Sequence, residues 1–419
     1  MHPTSGFRSR VRGALRLLGA ATGRPLVGPR LAGLEITHFC NLSCGFCESH
    51  SKLMSAPIVK RRQYQGGRRT MDLETITRVA RSLARLGVEW VELSGKGDPI
   101  VHPELPKVVA TIKAAGLRCS MFTNGTVPRP ELAATLVESG LDRLNLSLNA
   151  ASREAYTRTM GKDLFEKAVA FLDDLLERRR SAGKTRPWVR VTFVVCRDNV
   201  EDMNASVAFC RDHHVDEGGW CVMGELQETT RLQLERAQVE ELLARVPDWI
   251  RTLEDAGVAH DLHGFAKDMR LRVGGGPQQD NPLQRQLPCY EGWMHTVIAP
   301  DGTVAPCCYC ENVPLGNVVD EDFESIWKGR RYAEFRCRSL AMPKTHEPVC
   351  WECYASCNKA LENQRTHERI RPILPLSILR PWGVPAGTAD PVTAPVAVSA
   401  DLIMPSTPTP AGPTRSSSA

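Results

Sequence analysis

Three cysteines, Cys40, Cys44 and Cys47, stand in the run Cys40-Asn41-Leu42-Ser43-Cys44-Gly45-Phe46-Cys47, a C-x3-C-x2-C spacing. With 15 cysteines in 419 residues, chance would produce such a triplet about 0.02 times per chain. Closely spaced thiolates are ordinary ligands of iron–sulfur clusters. Three of them hold a [4Fe-4S] cluster with one iron left open, and an open iron binds a substrate-like ligand directly. The alternatives are zinc or buried, inert thiols. Zinc wants four ligands and usually pairs C-x2-C units or adds histidine, a place that His38 could take.

A second set begins at Cys289 and continues through Gly302, Cys307, Cys350-Trp351-Glu352-Cys353 and Cys357. Pro300-Asp301-Gly302-Thr303 reads as a hairpin turn between Thr296–Ala299 and Val304–Pro306. Such a turn brings Cys289 and Cys307 to the base of one hairpin. Four thiolates suit a fully ligated iron–sulfur cluster, or a zinc ribbon equally well.

The elements that position these cysteines follow a regular plan. Apolar strand-like runs fall at Leu34–Phe39, Val88–Leu93, Leu117–Thr123, Arg143–Leu148, Val189–Val195 and Trp220–Val222. Helix-period segments lie between them at Asp72–Leu86, Glu104–Ala115, Arg129–Ser139, Lys162–Arg180 and Val200–His213. This alternation implies an α/β fold of parallel βαβ units. Six units are fewer than the eight of a closed barrel, and in such folds the chemistry lies just after the strands.

Five regions are expected. Residues 1–30 form a basic helical extension, with Val11, Leu15 and Leu18 on one side of a helix and Arg8, Arg12 and Arg16 near the other. It reads as a cap on the barrel floor, or as a membrane-surface or partner-docking helix. Residues 31–224 form the β/α body, and 225–286 a helical connector with a linker at Gly274–Pro277. Residues 287–365 form the second cysteine domain. Residues 366–419, rich in Pro, Ala, Thr and Ser, form a disordered tail.

The formal charge of +5 implies no nucleic-acid partner. Met1–Gly33 has scattered arginines and short apolar runs, which does not read as a signal peptide. No apolar run is long enough to span a bilayer. A cytoplasmic location is expected, where many cysteines read as metal-binding or catalytic rather than disulfide-stapled. The basic run Lys60-Arg61-Arg62 with Arg68-Arg69 reads as a solvated loop or as a contact for an anionic substrate.

The cysteine loop resembles that of the radical S-adenosylmethionine (SAM) enzymes. The resemblance implies an open, partial (β/α)6 barrel and an oxidoreductase. In that family the open iron chelates SAM, the reduced cluster breaks a C–S bond, and a 5′-deoxyadenosyl radical abstracts a substrate hydrogen. Phe46 matches an aromatic near the adenine. The loop Ser94-Gly95-Lys96-Gly97-Asp98-Pro99 is similar to the family's G-x-G-E-P loop, which receives the SAM ammonium group, with Asp98 where glutamate is commoner. Its glycines allow close backbone approach. Thr123-Asn124-Gly125 is similar to a T-N-G turn that shapes the pocket, and reads equally well as a plain turn. Ser147 and Asn149, two apart at a strand end, are expected to point the same way. The resemblance assigns them to the SAM ribose or carboxylate, Arg158 to the carboxylate, and Asn199 to the adenosine. Arg158 reads also as a surface arginine. Cys196 is inert packing, or a thiol that returns a hydrogen atom to a substrate radical.

The second segment resembles the SPASM/twitch extension of that family, which carries auxiliary [4Fe-4S] clusters. One auxiliary cluster, on Cys289, Cys307, Cys350 and Cys353, is expected, with Cys357 able to replace one of them. Cys308, Cys310, Cys337 and Cys357 leave a second cluster open by number, outside the family pattern. The auxiliary cluster suggests net oxidation of substrate. The substrate is a small alcohol or sugar-type metabolite, or else a ribosomally made peptide that is crosslinked, oxidised or epimerised. Roughly thirty residues precede the first strand, too few for a leader-binding domain, which favours the small molecule. A flavodoxin- or ferredoxin-type donor would supply electrons. The rival class is an iron–sulfur electron carrier or a zinc-stabilised interaction protein, neither of which has use for a SAM pocket.

Overall fold

The computed structural model describes residues 6–54, 68–224, 227–273, 287–310, 313–345, 349 and 360–372. The expected linker and nearly all of the expected tail lie outside the described residues. Helix α1 (Phe7–Thr22) precedes the sheet. Strands β1 (Leu31–Leu34), β2 (Trp90–Leu93), β3 (Arg118–Thr123), β4 (Arg143–Ser147), β5 (Trp188–Val195), β6 (Glu217–Val222) and β7 (Ala259–His260) then pair in parallel, each with the next. The intervening helices are α2 (Leu73–Arg85), α3 (Leu105–Ala114), α4 (Leu132–Glu138), α5 (Arg153–Met160), α6 (Phe165–Ser181), α7 (Met203–Asp212) and α8 (Arg236–Asp255). After β7 come α9 (Leu262–Val273), α10 (Glu291–Met294), β8 (His295–Ile298), β9 (Thr303–Ala305), β10 (Gly316–Asn317), α11 (Phe323–Lys328), α12 (Arg330–Thr345) and α13 (Ala360–Ile370).

The local reasons are ordinary ones. In β5 every second residue, Val189, Val191, Phe193 and Val195, is buried, as strand alternation requires. In α2, Ile76, Val79, Ala80 and Leu83 are buried at helical spacing. Asp72 starts that helix by accepting the Thr75 amide at 2.7 Å. The expected α/β alternation is thereby seen as a parallel sheet, to whose β1 edge a C-terminal strand and its antiparallel neighbours are added.

The cysteine-bearing hairpin is not a separate layer. Among the described residues the strands form one sheet in the order β10-β9-β8-β1-β2-β3-β4-β5-β6-β7. Strand β8 pairs in parallel with β1, Leu31 opposite His295 and Leu34 opposite Ile298. The expected turn is present: Gly302 has φ 89°, and its amide donates to Ala299 O at 2.9 Å. A side chain there would meet Asn317 Oδ1 at 2.3 Å, so only glycine fits.

Four local expectations differ from the structure. The first strand ends at Leu34 rather than Phe39. Glu35 N still donates to Ile298 O, but the next residues pair with 69–71 through Met71 N to Ile36 O and His38 N to Arg69 O, each 2.9 Å. The chain thus leaves the sheet to carry the cysteine loop across its end. A seventh parallel strand, β7, extends the sheet beyond the six expected. Helix α13 runs to Ile370, past residue 366, because Ile370 is buried with Ala20, Ala21, Tyr290 and Trp293.

The fourth difference concerns α1. Its buried face is Arg16, Gly19 and Ala20, while Val11 is exposed. Arg16 Nε donates to Gly28 O at 2.9 Å, Nη2 to Gly87 O at 3.0 Å, and Nη1 meets Glu89 at 2.5 Å. A buried carboxylate ahead of β2 therefore outweighs the apolar stripe in orienting the helix. No helix among the described residues is long and apolar enough to cross a membrane.

Candidate active site

The cysteine loop lies beyond β1 and rests on α5. Gly45 N donates to Thr159 O at 2.9 Å, and the Cys44 thiol meets Met160 Sδ at 3.5 Å. Gly161, at φ 75°, lets the end of α5 approach Ser43 O, which a Cβ would meet at 2.8 Å. Within the loop, Cys47 N donates to Cys44 O at 3.0 Å and Leu42 N to Cys40 Sγ at 3.5 Å. Cys40, Cys44 and Cys47 are each half-buried. Phe46 and Leu53 pack on the small apolar cluster of Cys196, Met223 and Leu232.

The turn after β3 fastens this loop from the other side. Asn124 Nδ2 donates to Asn41 Oδ1 at 2.9 Å and lies 4.0 Å from Cys40 Sγ. Asn41 Nδ2 donates to Thr126 Oγ1 at 2.7 Å, and Thr126 donates its hydroxyl and amide to Asn124 Oδ1 at 2.6 and 2.9 Å. Asn41 and Thr126 were not singled out from the sequence. Their positions inside the cysteine loop and beside Thr123-Asn124-Gly125 were the available signal.

Asp98 joins three loops. Its Oδ1 accepts from Ile100 N at 3.0 Å and Thr123 Oγ1 at 2.8 Å, and its Oδ2 accepts from Asn124 N at 2.7 Å. Its own amide donates to Phe39 O at 2.9 Å. Burial pushes its carboxyl above the usual range, against the pull of these donors. The two glycines serve the same close packing. A Cβ on Gly97 would lie 2.4 Å from Thr37 O and 2.6 Å from Phe39 O. A Cβ on Gly95, at φ 125°, would lie 2.4 Å from Glu35 Cγ. Glu35 is itself buried, with His38 Nε2 at 2.9 Å and Lys96 Nζ at 3.8 Å from its Oε2. Arg69 of the basic run stacks over Phe39 at 4.2 Å, and Arg68 pairs with Asp72. Lys60, Arg61 and Arg62 lie outside the described residues.

At the ends of β4 and β5 the simple alternation breaks. Ser147 closes β4 half-buried, but Asn149 has φ 63° and is buried. A positive φ redirects the side chain, so Ser147 and Asn149 do not share a strand face. Asn149 Oδ1 accepts Val194 N at 2.9 Å, and its Nδ2 meets Met160 Sδ at 3.2 Å. Asn199 is buried and donates to Asn149 O at 2.6 Å and Val194 O at 2.8 Å, while accepting Cys196 N at 2.8 Å. Arg158 is exposed, pairs with Glu201, and donates to Asp198 O at 3.2 Å. Cys196 is buried, and burial pushes its thiol up to about 11, which keeps it protonated at neutral pH.

The donor set fits an iron–sulfur cluster at the first motif. Burial, then the Asp98 charge, pushes the Cys40 thiol up to about 12, and burial and the neighbouring thiols push Cys44 up as well. Bare thiolates are therefore disfavoured here, and a cationic iron core is what would hold them ionised. Among the described residues the buried hydroxyls Tyr156 Oη and Thr159 Oγ1 have no partner. They share the helix face that touches Cys44 and Gly45, and a sulfur-rich group would give them acceptors. Among the described residues no three His, Cys, Asp or Glu side chains converge on one ion. A cubane does not ask for that, because each thiolate binds a different iron.

In the second segment Cys289 and Cys307 are buried, Cys310 is buried and Cys308 exposed. Cys289 N donates to Ser339 O at 3.1 Å, and Cys310 N to Cys307 O at 3.1 Å. Cys350, Cys353 and Cys357 lie outside the described residues.

Comparison with known proteins agrees with this architecture. Residues 34–210 match the radical SAM superfamily model, and residues 289–354 match the SPASM iron-sulfur cluster-binding domain. A probable GTP 3′,8-cyclase of Metallosphaera sedula is 30% identical over 46% of this chain and 55% of its own. Another from Pyrococcus abyssi is 32% identical over 43% of this chain and 51% of its own. The chain spans about half the length of these curated relatives. Among solved structures, SuiB of Streptococcus suis is 18% identical with a TM-score of 0.57, covering 78% of this chain and 72% of its own. The protein anSMEcpe, solved with bound AdoMet, is 16% identical with a TM-score of 0.55, covering 82% of this chain and 98% of its own. At such identity these structures speak for the fold alone. With Cys40–Cys47 and Cys289–Cys353 inside matched regions, the chain belongs to the radical SAM superfamily and carries a C-terminal SPASM iron–sulfur cluster-binding domain.

Proposed function

We propose that this enzyme is an oxidoreductase that removes hydrogen from a small hydroxyl-bearing metabolite and passes the remaining electron inward. When bound, SAM and the cluster on Cys40, Cys44 and Cys47 supply a hydrogen-abstracting radical, and a cluster on Cys289, Cys307, Cys350 and Cys353 supplies an electron acceptor. The observation that carries this reading is the parallel pairing of β8 with β1. The backbone that leads from Cys289 towards Cys307 is laid directly against the strand that leads into Cys40. Clusters on these cysteines would be tied to adjacent strands of one sheet, Cys289 ahead of β8 and Cys40 beyond the end of β1, at a separation that the sheet holds constant for electron transfer.

The side chains divide the labour of SAM binding. Asp98, Asn124, Asn149 and Asn199 spend their hydrogen bonds inside the protein. Their part is to hold the loops in place. The backbone of Gly95–Gly97, the Thr123 turn and Ser147 are left as the groups that meet the cofactor, with Phe46 against the adenine, and Arg158 would join them only by leaving Glu201 and the Asp198 carbonyl.

A peptide substrate is the second reading. It is favoured by SuiB solved with its precursor peptide SuiA, whose fold covers 82% of this chain, and by anSMEcpe solved with the Cp18Cys peptide. In that case the Cys196 thiol is the candidate hydrogen donor for epimerisation.

The test is anaerobic. The reconstituted, dithionite-reduced protein is given SAM and deuterated alcohols or peptides, and 5′-deoxyadenosine is read by mass spectrometry. Deuterium transfer from an alcohol, with a ketone or aldehyde formed, supports the first reading. Transfer only from peptides supports the second. A full iron load that never cleaves SAM with any substrate rejects both.

A further inference from the structure

Arg336 on α12 is almost wholly buried, at 1% exposure. Its guanidinium lies over three aromatic rings, 4.3 Å from Trp327, 4.6 Å from Tyr332 and 5.8 Å from Trp293. Its Nε donates to Gly292 O at 2.9 Å and Nη1 to Trp327 O at 2.8 Å, while Nη2 has no partner among the described residues. Among the described residues no carboxylate pairs with it. Burial pushes its pKa down to about 10, which still leaves it cationic at neutral pH. A buried charge without a counter-charge is strongly unfavourable, and proteins rarely keep one.

The guanidinium lies beside the start of the second cysteine set. Arg336 grips the carbonyl of Gly292, three residues after Cys289. Cys289 in turn donates its amide to Ser339 O, three residues after Arg336. These two hydrogen bonds lock the start of the cysteine hairpin onto this turn of α12. Tyr332, which lies beside the guanidinium, donates to Thr296 Oγ1 on β8 at 2.9 Å. Its electrostatic neighbours include Cys307 and Cys310.

We infer that Arg336 is the counter-charge of the auxiliary iron–sulfur cluster and holds its reduction potential up. A [4Fe-4S] core with four thiolates is a net anion, and gains one further negative charge on reduction. A fixed cation in a low-dielectric shell stabilises both states and the reduced one more. The aromatic rings keep water from screening the charge. The acceptor is thereby poised to take an electron from a substrate radical. This inference rests on the auxiliary cluster proposed above.

The experiment uses the full chain with Cys40, Cys44 and Cys47 replaced by alanine, reconstituted with iron and sulfide, so that only the auxiliary cluster is titrated. The redox midpoint is followed by electron paramagnetic resonance for the parent, for Arg336→Lys, and for the uncharged Arg336→Gln and Arg336→Met. Whichever uncharged variant retains its iron is compared. Loss of the cation is expected to lower the reduction equilibrium at least tenfold, a 59 mV fall for one electron. The lysine variant is expected to stay near the parent. An unchanged midpoint without the cation, or an equal fall in the lysine variant, overturns the inference while leaving the cluster standing. A parent with no auxiliary iron signal overturns the cluster and the inference together.

Discussion

Asn124 donates to Asn41 Oδ1 at 2.9 Å, so the turn after β3 and the loop carrying the three cysteines are held as one unit. Each asparagine has a second bond through Thr126. Removing one member leaves buried polar groups unmet, at about 1–3 kcal/mol. Asn124→Ala and Asn41→Ala are expected to lose stability in that range in chemical denaturation. They should also retain less iron at the first site per chain than the parent. Full iron retention in both would show that the loop is held by other contacts.

Gly97 is a packing requirement of the cysteine loop. Its Cβ would meet the rigid backbone oxygens of Thr37 and Phe39 at 2.4 and 2.6 Å. Gly97→Ala is expected to cost about 1–3 kcal/mol and to displace the cysteine loop. Guanidinium denaturation, read beside the iron content of the first site, measures both effects.

The two cysteine sets should empty independently. Cys44→Ala is expected to abolish SAM cleavage and the SAM-induced change in the paramagnetic spectrum while sparing auxiliary iron. Cys289→Ala and Cys307→Ala should do the reverse, leaving the SAM-responsive signal intact. Iron analysis of all three variants decides the matter, since equal loss of all iron in each would merge the two sites into one.

Acid should loosen α1 from the barrel floor. Burial disfavours an ionised Glu89, but hydrogen bonds from Ser9 and Arg16 and the charges of Arg16 and Arg118 outweigh it and hold the carboxyl below the usual range. A depressed pKa gives stability that is present above the unfolded value and is lost as pH falls through the folded one. Glu89→Gln is therefore expected to be less stable at neutral pH, by about 3–5 kcal/mol for a broken buried pair. It should also show a flatter acid limb than the parent. Denaturant midpoints taken from neutral pH down through the carboxylate range would show both.

What the chain determined by itself is local. The spacing of Cys40, Cys44 and Cys47, the strand–helix alternation, and the Asp301-Gly302 turn are written in neighbouring residues and were legible from them. The structure decided what depends on partners far along the chain. Strand β8 chose β1, more than two hundred and fifty residues earlier, because only the folded sheet offers that open edge. Asn149 turned away from the Ser147 face because its φ is positive, and no periodicity records a dihedral. Arg16 was drawn inward by Glu89 against its own helix's pattern. Arg336 was caged among rings from α10, α11 and α12, which meet only in the folded domain. Periodicity reports which faces are apolar, while buried charge answers to long-range electrostatics that only the tertiary structure assembles.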